Sequence, residues 1–342
     1  MSKLNNKFVI LTAFYNAEDY IGRNVDRTLA QGYDDLGIIF IDDASIDDSK
    51  DVLFNRITGT YQGSLNQSGS SNIWTGNAMG KDIIYMENAE NVGSAALNQK
   101  IAVDTLISNT GTICGIVDGD DYLNDGAAVQ WVFDHMGSDN LMYASTQRWK
   151  AEVDHPFDRY FFSNRLLTQS DFPDDFVAPP LRCQGWHFHH FRAFKKVLSD
   201  NVITGRSFFN PTGGLIKEGS DVAYFKPMID MAGADRIHIS QACHYTYTYD
   251  SSINDHAQNP DEQNRNAKFC SYAVTGVGFV SGDENISGFC EQYGLQEKYI
   301  TGSDSNLSGV VDGQTGYFLW NTKSPVSADG TVTCATPYDR LT

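Results

Sequence analysis

Two short apolar runs in the first third of the chain end abruptly in clustered aspartates, and no other feature constrains the fold as much. Gly37 to Ile41 stops at Asp42 and Asp43, and Ile113 to Val117 stops at Asp118, Gly119, Asp120 and Asp121. Phe8 to Phe14 is a similar apolar run without the acids. Runs apolar at nearly every position suit parallel strands covered on both faces. Between the first two, Asn16 and Asp19 mark a helix start, and Ile21, Val25 and Leu29 recur at helical spacing until Gly32. Asp82 to Met86 reads as a further strand, and Ala95 to Ile107 and Ala127 to Met136 as helices. Alternating strands and helices predict an open α/β sheet with right-handed crossovers. Ligands bind such sheets at the carboxyl ends of the strands, so both acid clusters are expected to share one crevice.

Like charges packed this closely repel, which raises some of their pKa values unless a cation sits among them. Hard divalent ions of the magnesium or manganese kind prefer carboxylate oxygens. In an extended segment Asp118 and Asp120 point the same way, so both can face one ion, while Asp121 points elsewhere. Asp121 then either joins the ion or orders the loop. The plain alternative for the whole stretch is a solvated turn with an aspartate capping the next helix.

A chain of 342 residues, 41% hydrophobic and 12% aromatic, can bury one large domain with a small appendage. Its formal charge of −18 argues against nucleic acid or an anionic membrane surface as a main partner. No apolar run approaches the roughly 18 residues of a membrane helix. MSKLNNKFVILTAF lacks a small-x-small cleavage site and fits a buried first strand better than a leader. Six cysteines without a CxxC pair predict a reducing, cytoplasmic setting, with a pair among Cys270, Cys290 and Cys334 as the alternative.

Residues 58–81, rich in Gly, Ser and Asn, read as an inserted surface loop. Leu141 to Gln147 is a candidate strand and residues 187–198, HFHHFRAFKKVL, a candidate helix with a basic end. Ser220 to Met231 is expected to be helical because Val222, Phe225, Met228 and Ile229 line one face. Arg236 to Ser240 and His244 to Tyr249 look like short strands, and Tyr272 to Val280 like a β run in a small β-rich tail.

Four stretches stand in order: VILTAFYNAEDYI (9–21), IIFIDDASIDDS (38–49), ENVGSAALNQKI (90–101) and GIVDGDDYL (115–123). Together they resemble the nucleotide-sugar half of the family 2 glycosyltransferases, inverting enzymes of the GT-A fold, whose last such stretch is the DXD motif. EGSDVAYFKPMI (218–229) resembles the family's Glu-Asp helix start that carries the catalytic base, and CHYTYTYDSSIND (243–255) its Tyr-rich strand and turn. The resemblance implies a Rossmann-like mixed sheet flanked by helices. It also implies a GT-A domain over residues 1–258, with a nucleotide-sugar half at 7–135 and an acceptor half at 136–258. Residues 259–342 are left as a small β-rich extension.

The implied reaction moves a hexose from a nucleotide-diphosphate sugar, a UDP-sugar by the resemblance, to the hydroxyl of a saccharide, lipid-linked or protein acceptor. Mn2+ or Mg2+ held by Asp118 and Asp120 would neutralise the leaving diphosphate. Asp43 resembles the acceptor of the uracil N3–H, and Asp42 holds the turn or the ribose. Thr12, Phe14 and Tyr15 form the wall against the base, although Phe14 also suits a core position. Asn91, Gly93 and Asn98 line the ribose, with Gly93 allowing close backbone approach and Asn98 alternatively a capping or core residue.

Asp221 is the candidate general base, with Glu218 the alternative because the chain reads Ser220-Asp221 where the family has Glu-Asp. No arginine follows the Tyr-rich strand, which reads Thr248-Tyr249-Asp250, and Arg182, Arg192 and His244 are the candidate substitutes for gripping the diphosphate. His187, His189 and His190 fit no common zinc spacing and read as part of an acceptor-side helix. A nucleotidyltransferase would need a Gly-rich basic loop where this chain has AFYNAED. A non-catalytic carbohydrate-binding or structural protein on the same fold is the other alternative.

Overall fold

The computed structural model describes residues 3–272 apart from 70, 152–156, 172–180, 182–187, 203–206, 210–213, 250 and 252–258. The chain divides into two compact units. The first comprises Met1–Asn164, His187–Ser199 and His238–Gln258, and the second comprises Arg165–Trp186, Asp200–Ile237 and Asn259–Thr342.

The first unit is built on one mixed sheet. Its centre is parallel: β1 (Phe8–Phe14) lies between β2 (Leu36–Asp42) and β6 (Ile113–Ile116), and β5 (Lys81–Glu87) pairs with β2. Every residue of β1 and β2 is buried, as their unbroken apolar character requires. Helix α1 (Glu18–Leu29) places Ile21, Val25 and Leu29 in one cluster with Phe8, Ile10 and Phe14. Residues 9 and 11 alternate to the opposite face of β1, and α3 (Ala95–Leu106) packs against β1 and β2. Asn16 has a positive φ of 51° and its Oδ1 accepts from the Ile46 N–H, so the chain turns there before α1 begins.

Three expectations are corrected. Residues 58–81 are no loop: after α2 (Ser49–Phe54) and a π-helical turn (Asn55–Thr60) come β3 (Ser64–Gln67) and β4 (Ile73–Ala78), which extend the sheet antiparallel to β5. Ile73 and Ala78 are buried, and Trp74 packs edge-on against Phe54 and Tyr85. A Cβ on Gly76 would lie 1.6 Å from the Ser64 carbonyl oxygen, so the glycine that suggested a loop permits strand pairing. Among the described residues of 187–198 the expected helix begins only at Lys196: β10 (Arg192–Lys195) pairs antiparallel with both β6 and β8 (Met142–Ala151), followed by the short α5 (Lys196–Asp200). Pairing on both sides of Ala193 and Phe194, both fully buried, outweighs local helical character. The two short strands near residue 240 are one, β11 (Ile237–Thr248).

The sheet closes with β11 beside β8 and paired with β7 (Tyr122–Leu123), which follows the acidic loop, while β9 (Phe157–Phe161) pairs with β8. Helix α4 (Ala128–Met136) buries Val129, Val132 and Met136 in the α1-side cluster.

The second unit holds a helix at Ser220–Ala232 and another at Pro260–Tyr272. Phe208, Tyr224 and Phe225 are buried there, and Ser207 Oγ donates to the Ala223 carbonyl. The tail expected to be β-rich therefore begins with a helix. The β run expected to follow Tyr272, and Cys290 and Cys334, lie outside the described residues.

Gly119, inside the acidic loop, packs against β1: a Cβ there would fall 2.4 Å from Phe14 Cβ and 3.2 Å from the Ala13 carbonyl oxygen. Neither neighbour is the tip of a flexible side chain. Overpacking of this kind costs about 1–3 kcal/mol, so Gly119→Ala is expected to lower Tm by several degrees in a thermal melt. An unchanged Tm would show that the loop does not rest on Phe14.

Candidate active site

The carboxyl ends of β1, β2, β5 and β6 lie along one edge of the first unit. At the end of β2, Asp42 and Asp43 do separate work. Asp42, fully buried, accepts from the Tyr85 hydroxyl at 2.7 Å and from the Ser45 N–H at 2.8 Å. Burial first, then the Asp42 charge, drives the Tyr85 phenol far above its ordinary pKa. Asp43 is held to β1 through its own N–H, which donates to the Phe14 carbonyl at 2.9 Å. Its carboxylate receives three donors from the loop ahead of α3: Asn88 Nδ2 at 2.7 Å, the Val92 N–H at 2.9 Å and the Gly93 N–H at 2.8 Å. Gly93 has φ of 71°, a left-handed conformation that favours glycine.

Asn88 Nδ2 also reaches Asn98 Oδ1 at 2.9 Å. Asn98 Nδ2 and Ser94 Oγ are buried with no hydrogen-bond partner among the described residues. The structure thus brings Asp42, Asp43, Gly93 and Asn98 together, with Asn91 exposed in the same loop. Of the expected base wall, Thr12 and Phe14 are buried in β1, Phe14 within the core cluster, whereas Tyr15 is exposed.

The second acid cluster sits where β6 ends, on the other side of β1 from β2. Asp121 is 1% exposed, and its two oxygens accept from the Tyr245 hydroxyl at 2.6 Å and the Thr248 N–H at 2.7 Å. The Tyr245 oxygen in turn accepts from the Asp118 N–H at 3.1 Å. Asn24, on the buried face of α1, donates to the Asp118 and Asp121 carbonyls at 2.9 and 3.0 Å. Thr248 Oγ1 donates to the Asp120 carbonyl at 2.8 Å, and Arg23 donates to Thr248 Oγ1 at 3.1 Å with its guanidinium 4.2 Å from the Tyr122 ring centre. The loop backbone is therefore gripped from α1 and from β11, while the Asp118 side chain stays about one-third exposed and Asp120 half-buried.

The electrostatics follow from that packing. Burial raises the pKa of Asp120 against the opposing pull of a hydrogen bond from Ser251 and of the Arg23 charge. Burial, then Asp120 and Asp118, push Asp121 well above the usual carboxylate range. Among the described residues no cluster of three or more His, Cys, Asp or Glu is arranged to hold a metal ion. Two carboxylates still suit a hard cation of the magnesium kind, which is commonly bound through one or two carboxylates plus waters and substrate phosphates.

Arg23 and Asn24 escaped the sequence reading. Asn24 falls three residues after Ile21 on the apolar stripe of α1, and a polar residue at a core position was the available signal. Among the substitutes for the missing arginine, Arg192 is buried in β10 and His244 meets Asp125 at 3.0 Å, while Arg182 lies outside the described residues, as do His187 and Asp250. Asp221 and Glu218 belong to the second unit. Asp221 stands in the first turn of its helix, with Oδ1 accepting from the Val222 N–H at 2.8 Å. Glu218 Oε1 accepts from Asn259 Nδ2 at 2.7 Å, and the Glu218 carbonyl from Asn266 Nδ2 at 3.0 Å.

The raised pKa of Asp121 has a definite sign in stability. The folded chain holds this proton more tightly than the unfolded chain, so its contribution is full below the unfolded pKa of about 3.9 and is lost as pH rises through the folded value. In chelator-treated protein, the Tm advantage of wild type over Asp121→Asn is expected to be largest near about pH 4 and to shrink toward about pH 8. An advantage that grows with pH would mean that Asp121 stabilises the fold as an anion.

The family model described as glycosyl transferase family 2 matches residues 9–198, which is more than half of the chain. An uncharacterized glycosyltransferase of Nostoc sp. is 27% identical over 137 residues, covering 36% of this chain and 41% of that relative. Among solved structures, S. aureus TarS 1-349 in complex with UDP-GlcNAc aligns at TM-score 0.45 and 14% identity over 73% of this chain and 60% of its own. Glucosyl-3-phosphoglycerate synthase from Mycobacterium tuberculosis, in complex with Mn2+, UDP and glucosyl-3-phosphoglycerate, aligns at TM-score 0.43 and 13% identity over 85% of this chain and 81% of its own. On the match over residues 9–198, which contains both acid clusters and the central parallel strands, the chain belongs to glycosyl transferase family 2.

Proposed function

We propose that the chain moves a sugar from a nucleotide-diphosphate sugar, a UDP-sugar in our reading, to an acceptor hydroxyl with inversion at the anomeric carbon, assisted by Mn2+ or Mg2+. One observation carries the reading: in a family 2 chain, the loop at the end of β6 seals Asp121 inside and leaves Asp118 and Asp120 partly open to solvent. A cation held by Asp118 and Asp120 supplies charge neutralisation for the departing diphosphate.

The nucleoside lies against the end of β2 in this reading. A carboxylate has about four lone-pair positions, and the three loop donors leave Asp43 one with which to accept from a base N–H. Tyr15 offers an exposed ring at the end of β1 for stacking, and Asn91, Gly93 and Asn98 meet the ribose side. Asp221 is the general base: it takes the acceptor hydroxyl proton as that oxygen attacks C1, and the bond from C1 to the diphosphate oxygen breaks. Its place in the first turn of the helix favours Asp221 over Glu218 for this role. The acceptor is a saccharide, a lipid-linked glycan or a protein. No described helix is long and apolar enough to cross a membrane.

Asp120→Ala is expected to abolish Mn2+-dependent binding of UDP in calorimetric titration while the thermal melt stays cooperative. Wild-type affinity in that variant would remove Asp120 from the cation site.

General-base catalysis contributes about 10²–10⁴-fold, so Asp221→Asn should cut transfer at saturating donor by that order and leave donor binding intact. Glu218→Gln, assayed beside it, should lose far less. If only the Glu218 change stops transfer, the base is Glu218.

A further inference from the structure

The imidazole of His190 is 6% exposed and has no part in the reaction described above. Its Nε2 lies 3.7 Å from Asp118 Oδ2, and its ring centre 4.5 Å from that of Tyr245, the residue whose hydroxyl fixes the Asp118 N–H and the Asp121 carboxylate. The His190 N–H donates to Gln147 Oε1 at 2.9 Å, anchoring the residue to β8 just before β10. Nδ1 is buried without a hydrogen-bond partner among the described residues. A proton on Nδ1 would be a buried donor with no acceptor, which favours the tautomer with its proton on Nε2, the nitrogen nearest Asp118.

We propose that His190 is a positioning residue for Asp118: its Nε2–H faces Oδ2 and thereby fixes the orientation in which the other carboxylate oxygen meets the cation. The proposal rests on the assignment of Asp118 as a cation ligand. At 3.7 Å the pair is outside hydrogen-bonding distance; in the proposal the cation-bound carboxylate is the state in which the contact closes. Outer partners of metal ligands act in this way, holding the ligand in one orientation, and their loss typically costs about 10–100-fold in metal affinity. The tie to Tyr245 extends the support: imidazole, phenol and the Asp121 carboxylate form one packed column beneath the loop.

The test is the affinity for Mn2+ in the presence of UDP, and in parallel GDP, read from the free-manganese EPR signal of the full chain, with no activity assay involved. His190→Phe keeps a ring against Tyr245, removes the N–H and eliminates the orphaned Nδ1. It is expected to melt within a few degrees of wild type and to bind Mn2+ about 10–100-fold more weakly. His190→Gln, which keeps a donor near the Nε2 position, should recover most of the affinity, and His190→Asn, too short to reach, should not. Equal Mn2+ affinity in wild type and His190→Phe overturns the positioning role. If His190→Phe does not fold, equal affinity in the Gln and Asn variants overturns it instead. A wild-type chain that binds neither nucleotide in a Mn2+-dependent way refutes the donor-site reading itself, an outcome distinct from the failure of His190 alone.

Discussion

The hydrogen bonds from Tyr245 and Thr248 to the buried Asp121 carboxylate join parts of the chain more than 120 residues apart and set the shape of the acidic loop. A carboxylate this deep is costly unless its oxygens are satisfied. Both oxygens of Asp121 are satisfied, by a phenol and a main-chain amide of the same strand. Removing either β11 partner would leave a buried carboxyl oxygen unsatisfied, so the strand and the loop hold each other in place. The loop backbone is then pinned at Asp118, Asp120 and Asp121 by Asn24, Thr248 and Arg23. The side chains at positions 118 and 120 are the carboxylates of the loop left partly open to solvent. Pre-organisation of this kind lets two like charges stay close without the loop rearranging to separate them.

The other strand end uses carboxylates for a different purpose. Asp42 and Asp43 turn back into the protein, one to a tyrosine of the neighbouring strand and the other to the loop that opens α3. Their charge organises the surface that a nucleoside would touch, with little of it presented outward. Asn88 bridges Asp43 and Asn98, so the loop and the first turns of α3 are one hydrogen-bonded assembly. The buried Asn98 Nδ2 and Ser94 Oγ beside it have no hydrogen-bond partner among the described residues.

Sheet composition explains where the edges of the first unit lie. The parallel centre is sealed by helices on both faces, while the antiparallel additions, β3 and β4 at one side and β10, β8 and β11 at the other, carry more polar and aromatic residues. β10 is the pivotal addition. It inserts between β6 and β8, so the strand that carries the acidic loop is paired on both sides, and it places His190 beneath Asp118. Two short segments thereby acquire roles that neither has alone.

The parallel centre and the two acid clusters were legible in the sequence because each depends on local pattern. Unbroken apolar runs such as Phe8–Phe14 can only be buried strands, and aspartates placed directly after them must emerge at the strand ends. Strands at residues 64–78 and 192–195 were not legible, since their stability comes from partners far along the chain and glycine or basic residues hid the pattern. Which aspartate is buried was also beyond the sequence: alternation separates Asp121 from Asp118 and Asp120, yet only the arrival of Tyr245 and Thr248 makes Asp121 internal. The sequence by itself determined the carboxylates and their spacing. Tertiary structure decided their division of labour, because burial and long-range hydrogen bonding, which set the cost of each charge, exist only once β11 and α1 have closed around the loop.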